Sequence, residues 1–295
     1  MDDATLAALR TAASAAFDIG LAGMLGALAM LSVLRDTASD WALRGARRCR
    51  GLFMRANLLA LAASIAWLAV QAVGMGDPGF GAVSALGDIA TATAFGQAWA
   101  LATGALVACA VLAYTRRYRP MPVRMLGLGL VVVAVGHASG GHANAHGLSW
   151  LLPTMTVHLL ATGLWAGAVF AAVLAVWRET PSAVDGPRCA HRLSRLATAA
   201  LAAVAVTGVA SGWHALGGSL APLEPPSSDW SVALAAKLAL VATAVALGGL
   251  NRLAVMPGLP EAWPRFVRVL RVEAGILLAV LVAAAVLANG EPPSV

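Results

Sequence analysis

Apolar residues along this chain do not alternate with polar ones. They come in long blocks, at 11–34, 53–75, 89–114, 125–143, 150–177, 196–216, 231–251 and 266–288. Each block has about twenty residues or more, enough to cross a hydrocarbon layer of roughly 30 Å as a helix. Within a bilayer the segment must satisfy its own backbone N–H and C=O groups, so Ala/Leu/Val-rich blocks of this length predict helices. A β-barrel would show strands of about ten residues with alternating polarity, and none is present. The pattern therefore predicts an all-α fold: a polytopic membrane helical bundle of about eight transmembrane helices, one transmembrane domain over residues 1–295. The first block follows an acidic start and lacks a small-residue cleavage site, so it is expected to stay as a helix.

Composition sharpens this. Apolar residues make up 60% of the chain and charged residues 12%, with a mean hydropathy of +0.79. A soluble globular chain carries about a quarter charged residues, so a soluble protein is excluded. Of the three cysteines, Cys49 and Cys189 are expected in basic loops and Cys109 inside the third span, which predicts no extracytoplasmic disulfide.

The net charge of +6 suggests an anionic partner until its distribution is read. Arginines 35, 44, 47, 48, 50 and 55 flank the first connection, and 116, 117, 119 and 124 the third. Arginines 178, 188, 192 and 195 mark the fifth connection, and 252, 265, 268 and 271 the seventh. These eighteen are all but two of the 20 basic residues, while the alternate connections (76–88, 138–149, 217–230) hold none. The positive-inside rule assigns the arginine-rich connections to the cytoplasm. Both termini are then periplasmic, in the inner membrane of a bacterium. The charge is a topology signal, and no nucleic-acid partner is expected.

With arginines marking the cytoplasmic edge, depth follows from the helical rise. His137 lies 13 residues beyond Arg124, roughly 20 Å, and Asp18 lies 17 from Arg35, roughly 25 Å. Gln71 and Lys237 come out at roughly 22–24 Å from Arg55 and Arg252. His214 reaches the outer edge, and His158 follows Pro153, expected in a helix's first turn. Polar residues of six helices thus converge on the outer third. The inner half keeps chiefly Asn57, Asn251 and Glu273 near the cytoplasmic edge. Ionisable groups inside a membrane are costly and usually functional, so a periplasm-facing site is predicted.

Five of the six histidines (His137, His142, His146, His158 and His214) fall in that zone, and His191 reads as a solvated basic-loop residue. Met155 and Trp165 share a helical face with His158. Taken singly, a histidine is as well explained by hydrogen-bonded packing. Taken together, imidazoles and a thioether suit copper, and imidazoles alone suit zinc as well. The predicted metal ligands are His137 and His158, completed by one of His142, His146, His214 or Met155. Asp18, Gln71, Lys237 and Trp165 form the supporting polar cluster, with Lys237 a counter-ion for Asp18. Gly163…Gly167 and Gly208…Gly212 have the spacing of close helix contacts.

The segment Thr156-Val-His-Leu-Leu-Ala-Thr-Gly-Leu-Trp-Ala-Gly resembles a signature of the CopD family of copper-resistance membrane proteins. Gly136-His137-Ala138 precedes it, and Arg192-Leu-Ser-Arg195, Lys237-Leu-Ala-Leu, Asn251-Arg252 and Arg271-Val-Glu273 follow in order. The resemblance covers roughly 120–290; residues 1–119 match only in helix count. There Asp18 stands where the family often has a histidine, and Asp18-x4-Gly23 echoes His158-x4-Gly163. A carboxylate in place of imidazole hardens the site. The resemblance implies copper import across the inner membrane, with a small periplasmic partner of the CopC type.

The expected function is capture of copper at the periplasmic histidines and its transport toward the cytoplasm. The inner half offers few onward ligands, Met30 and Cys109 among them, and no ATP-binding motif, so movement would be downhill or ion-coupled. A non-transporting copper receptor or metalloenzyme assembly factor is the alternative of a different class. A membrane haem protein, with His137 and either His158 or His214 as axial ligands, ranks below both, and electron transfer through two haems is excluded because no second histidine pair exists near the cytoplasmic side. No nucleophile–base constellation points to an enzyme.

Overall fold

The computed structural model describes residues 2–75, 87, 89–117, 119–140, 150–215 and 229–290. Among the described residues there is no strand, and the long helices are eight: α1 (Asp3–Val33), α2 (Asp40–Met75), α3 (Ala94–Thr115), α4 (Val123–Ser139), α5 (Leu151–Ala171), α6 (Asp185–Ala215), α7 (Asp229–Leu250) and α8 (Trp263–Asn289). Helices α5 and α7 continue into π-helical turns at Ala172–Val176 and Asn251–Val255. Seven helices are long and apolar enough to cross a membrane. The exception, α4, has 17 residues, roughly 26 Å of rise; its predicted continuation through 143 lies outside the described residues.

The helices overrun the apolar blocks where the arginines are. Arg44 to Arg55 lie on α2, Arg188 to Arg195 on α6, and Arg265 to Arg271 on α8, where connections were expected to be loops. Hydropathy reports the solvent around a segment and not its backbone, and arginine is a good helix former. At 36 residues, α2 spans about 54 Å and projects well past the hydrocarbon. Ser39 and Ser182 mark the new starts, their hydroxyls accepting from the N–H of Ala42 (3.4 Å) and Asp185 (3.0 Å). Cys49 and Cys189 accordingly sit on helices, not in loops, and with Cys109 they are buried free thiols.

Ion pairs knit the arginine-bearing ends together. Glu179 accepts from Arg44 Nε at 2.9 Å and from Arg48. Arg192 donates to the Val33 carbonyl and to Asp36 Oδ2, both at 3.0 Å.

Helices α1 and α5 form the centre of the bundle, and α6 and α7 are the least buried. Gly26 and Gly167 let α1 and α5 cross backbone to backbone: a Cβ on either would overlap the other chain segment. The predicted Gly163…Gly167 spacing is therefore used against α1, where Gly163 meets Ala22 and Leu25. The Gly208…Gly212 pair is split, since Gly208 abuts His158 and Gly212 has open space. Deeper in, fully buried Asn57 ties α2 to its neighbours, donating to Met24 Sδ (3.3 Å) and the Leu106 carbonyl (3.1 Å).

Candidate metal centre

His137 ends α4 against α1 and α2. Its ring stacks on Phe17, with centroids 4.1 Å apart and planes 13° apart, and Trp67 closes in at 5.1 Å. Asp18, the next residue on α1, faces the ring edge: Oδ1 lies 3.8 Å from His137 Nε2. That oxygen is buried with no hydrogen-bond partner among the described residues. Metal–ligand bonds of about 2.0–2.2 Å from nitrogen and oxygen would together span this gap. The arrangement suits a cation held between imidazole and carboxylate.

His158 is held differently. Thr207 Oγ1 donates its proton to the Ala203 carbonyl at 2.6 Å, so it accepts from His158 Nδ1 at 2.9 Å. The proton on Nδ1 leaves the Nε2 lone pair to a ligand, the second-shell pattern of metal-binding histidines. Gly208 gives the ring room, since a Cβ there would stand 3.2 Å from Cε1. His137 and Asp18 are in contact, and Lys237 on α7 acts electrostatically on both Asp18 and His158.

The remaining predicted residues are distributed around these four. His214, at the end of α6, packs edge-on against Trp150 with centroids 5.6 Å apart. Met155 is half-buried, one turn before His158, and Gln71 is half-buried on α2. His142 and His146 lie outside the described residues. Trp165 departs from its predicted place. It is buried and lines a cavity with Asn251 and Glu273, because seven residues carry it roughly 10 Å down α5 from His158. Among the described residues no three of His, Cys, Asp or Glu converge tightly enough to hold a metal.

Three participants escape the sequence reading: Phe17, Trp67 and Thr207. Phe17 adjoins Asp18, and Thr207 adjoins a glycine of the close-approach pair, so adjacency is the available signal. Their roles depend on which helices meet.

Two family models match the chain. That described as copper resistance protein D-like, N-terminal domain, covers residues 1–151, and that described as copper resistance protein D covers 187–287. The chain belongs to the copper resistance protein D family. The first match corrects the expectation that residues 1–119 share only helix count with the family. It brings α1, with Asp18, and α4, with His137, into one matched segment. The histidine–tryptophan segment at 156–167 falls between the two matches. No curated protein and no solved structure matches the chain. Membership and the apolar helices make it a multi-pass membrane protein of copper resistance.

Proposed function

We propose that this protein captures copper between His137 and Asp18 on the periplasmic side of the bacterial inner membrane, with His158 drawn in as the helices close on the ion, and passes it toward the cytoplasm. The observation that carries the reading is the unpartnered Asp18 Oδ1 facing His137 Nε2 at 3.8 Å. Nitrogen and oxygen donors together favour Cu(II) over softer Cu(I) at the point of capture. His158, oriented by Thr207, supplies a further imidazole, and a residue of the 141–149 segment, His214 or Met155 completes the shell. A small periplasmic copper-binding protein of the CopC type is the partner that would deliver the ion.

Orientation rests on the arginines. Their confinement to alternate connections supports a cytoplasmic arginine-bearing end and periplasmic termini. A reporter active only in the periplasm, fused after Val295, should be active; a cytoplasm-only reporter active there would reverse the picture. The function itself is tested by the copper content of detergent-purified protein. Wild type should retain stoichiometric copper and His137→Ala and His158→Ala should lose it. Full retention by both variants would sink the assignment. A non-translocating copper receptor is the second reading, favoured by the commitment of Met24 Sδ, on the inward path, to Asn57. Copper uptake into sealed vesicles separates the two.

A further inference from the structure

A second polar concentration lies toward the arginine-bearing end. A cavity of about 210 Å³ opens between α6 and α7, backed by α5 and α8. Ser194 and Thr198 line it from α6, Asn251 and Arg252 from the end of α7, Glu273 from α8, and Trp165 from α5. Glu273 and Asn251 are each only 4% exposed. Asn251 opens the π-helical turn, a distortion frequent at functional sites. Its Nδ2 donates to the Phe266 carbonyl at 3.3 Å, and its Oδ1 is buried without a partner among the described residues. The Glu273 carboxyl packs beside Gly248, where a Cβ would stand 3.3 Å from Oε1. Among the described ion pairs none reaches Glu273. Arg252, the only other charged residue of the described lining, donates to Thr198 across the mouth between α6 and α7 and has no described contact with Glu273.

Two buried acceptors therefore line one water-sized space, and among the described hydrogen bonds and ion pairs none reaches either oxygen. Acceptors buried in this way are normally satisfied by protein, water or an ion, and a lone buried carboxylate demands a positive charge. The two unsatisfied acceptors are oxygens, which favour a hard cation, although the Met256 thioether also lines the cavity. We propose that Glu273 and Asn251 Oδ1 form a site for one hard monovalent cation, sodium or a proton, separate from the copper-capturing residues. The two positions share helices: Lys237 lies 14 residues before Asn251, roughly 21 Å along α7. The proposal goes beyond copper capture and does not rest on it, because the site can be tested with copper removed.

The experiment uses full-length, chelator-treated protein in detergent. Its unfolding midpoint is measured in sodium chloride against choline chloride at equal ionic strength, and in choline chloride at a series of pH values. A sodium site raises the wild-type midpoint by roughly 2–5 °C in sodium, and Glu273→Gln and Asn251→Leu abolish the rise. A proton site gives no sodium effect but a component of the wild-type pH dependence that the near-isosteric Glu273→Gln removes, while the acid loss carried by Glu179 remains. Saturable binding of radiolabelled sodium to the wild type reads the sodium arm without any variant. The proposal is overturned if Glu273→Gln tracks the wild type in both series. Should Glu273→Gln not fold, Asn251→Leu is compared in the same two series, and the proposal is overturned if that variant tracks the wild type.

Discussion

His137 Nε2 and Asp18 Oδ1 face each other at 3.8 Å where α4 meets α1, with the Phe17 ring stacked on the imidazole. The two residues lie 119 positions apart, and Asp18 Oδ1 has no hydrogen-bond partner among the described residues. If they share copper, Asp18→Asn keeps the shape and removes the anionic donor. Copper affinity should fall by more than the about 10–100-fold typical of a lost outer-shell partner. Competitive titration with a chelator of known affinity measures it, and an unchanged affinity would remove Asp18 from the shell.

Thr207 acts on copper only through His158. Thr207→Val keeps the bulk but leaves Nδ1 without its acceptor, so the ring loses its fixed tautomer. Affinity should weaken by about 10–100-fold, with the ligand count unchanged, whereas His158→Ala removes a ligand outright. X-ray absorption of the copper-loaded variants distinguishes the two outcomes.

Lys237 and Asp18 should be energetically coupled. Lys237→Met leaves the Asp18 carboxyl in the bundle without its nearby cation. The single change should destabilise the protein more than Lys237→Met combined with Asp18→Asn, by about 1 kcal/mol or more of coupling. Thermal unfolding of the four proteins of the cycle reads this; strict additivity would mean that the two are not partners.

Gly167 should be the least tolerant glycine of the core. Gly167→Leu forces a side chain into the α1 backbone at Ala22 and Gly26 and should cost about 3 kcal/mol or more. Gly212→Leu should be tolerated, because a Cβ at that position meets nothing within 4 Å. Unfolding midpoints in detergent compare the pair.

Glu179 ties α2 to the turn after α5, outside the membrane. Hydrogen bonds from Arg48 and then Arg44 hold its carboxyl below the usual carboxylate range. A lowered folded-state value means that the contact stabilises at neutral pH and that this contribution is lost as pH falls through the lowered value. Wild type should therefore lose its stability advantage over Glu179→Gln on acidification below the ordinary carboxylate range. Parallel thermal unfolding at neutral and acid pH checks the sign.

The amino-acid sequence alone determined the all-helical, multi-pass character, because crossing a bilayer is a local requirement that each block of apolar residues meets or fails by itself. It also gives an expected depth for the polar residues, since the arginines supply a ruler and the helical rise a scale. Asp18 and His137 come out at similar heights on that scale with no knowledge that their helices touch. What only tertiary structure decided was lateral. Depth along an axis says nothing of which helices are neighbours or which face each presents. The Thr207 partner of His158 and the Phe17 and Trp67 rings around His137 follow from that. So does the backbone crossing at Gly26 and Gly167. Helices packed through small residues in a uniformly apolar solvent choose their partners by steric fit, and steric fit is a property of pairs of helices, not of either one.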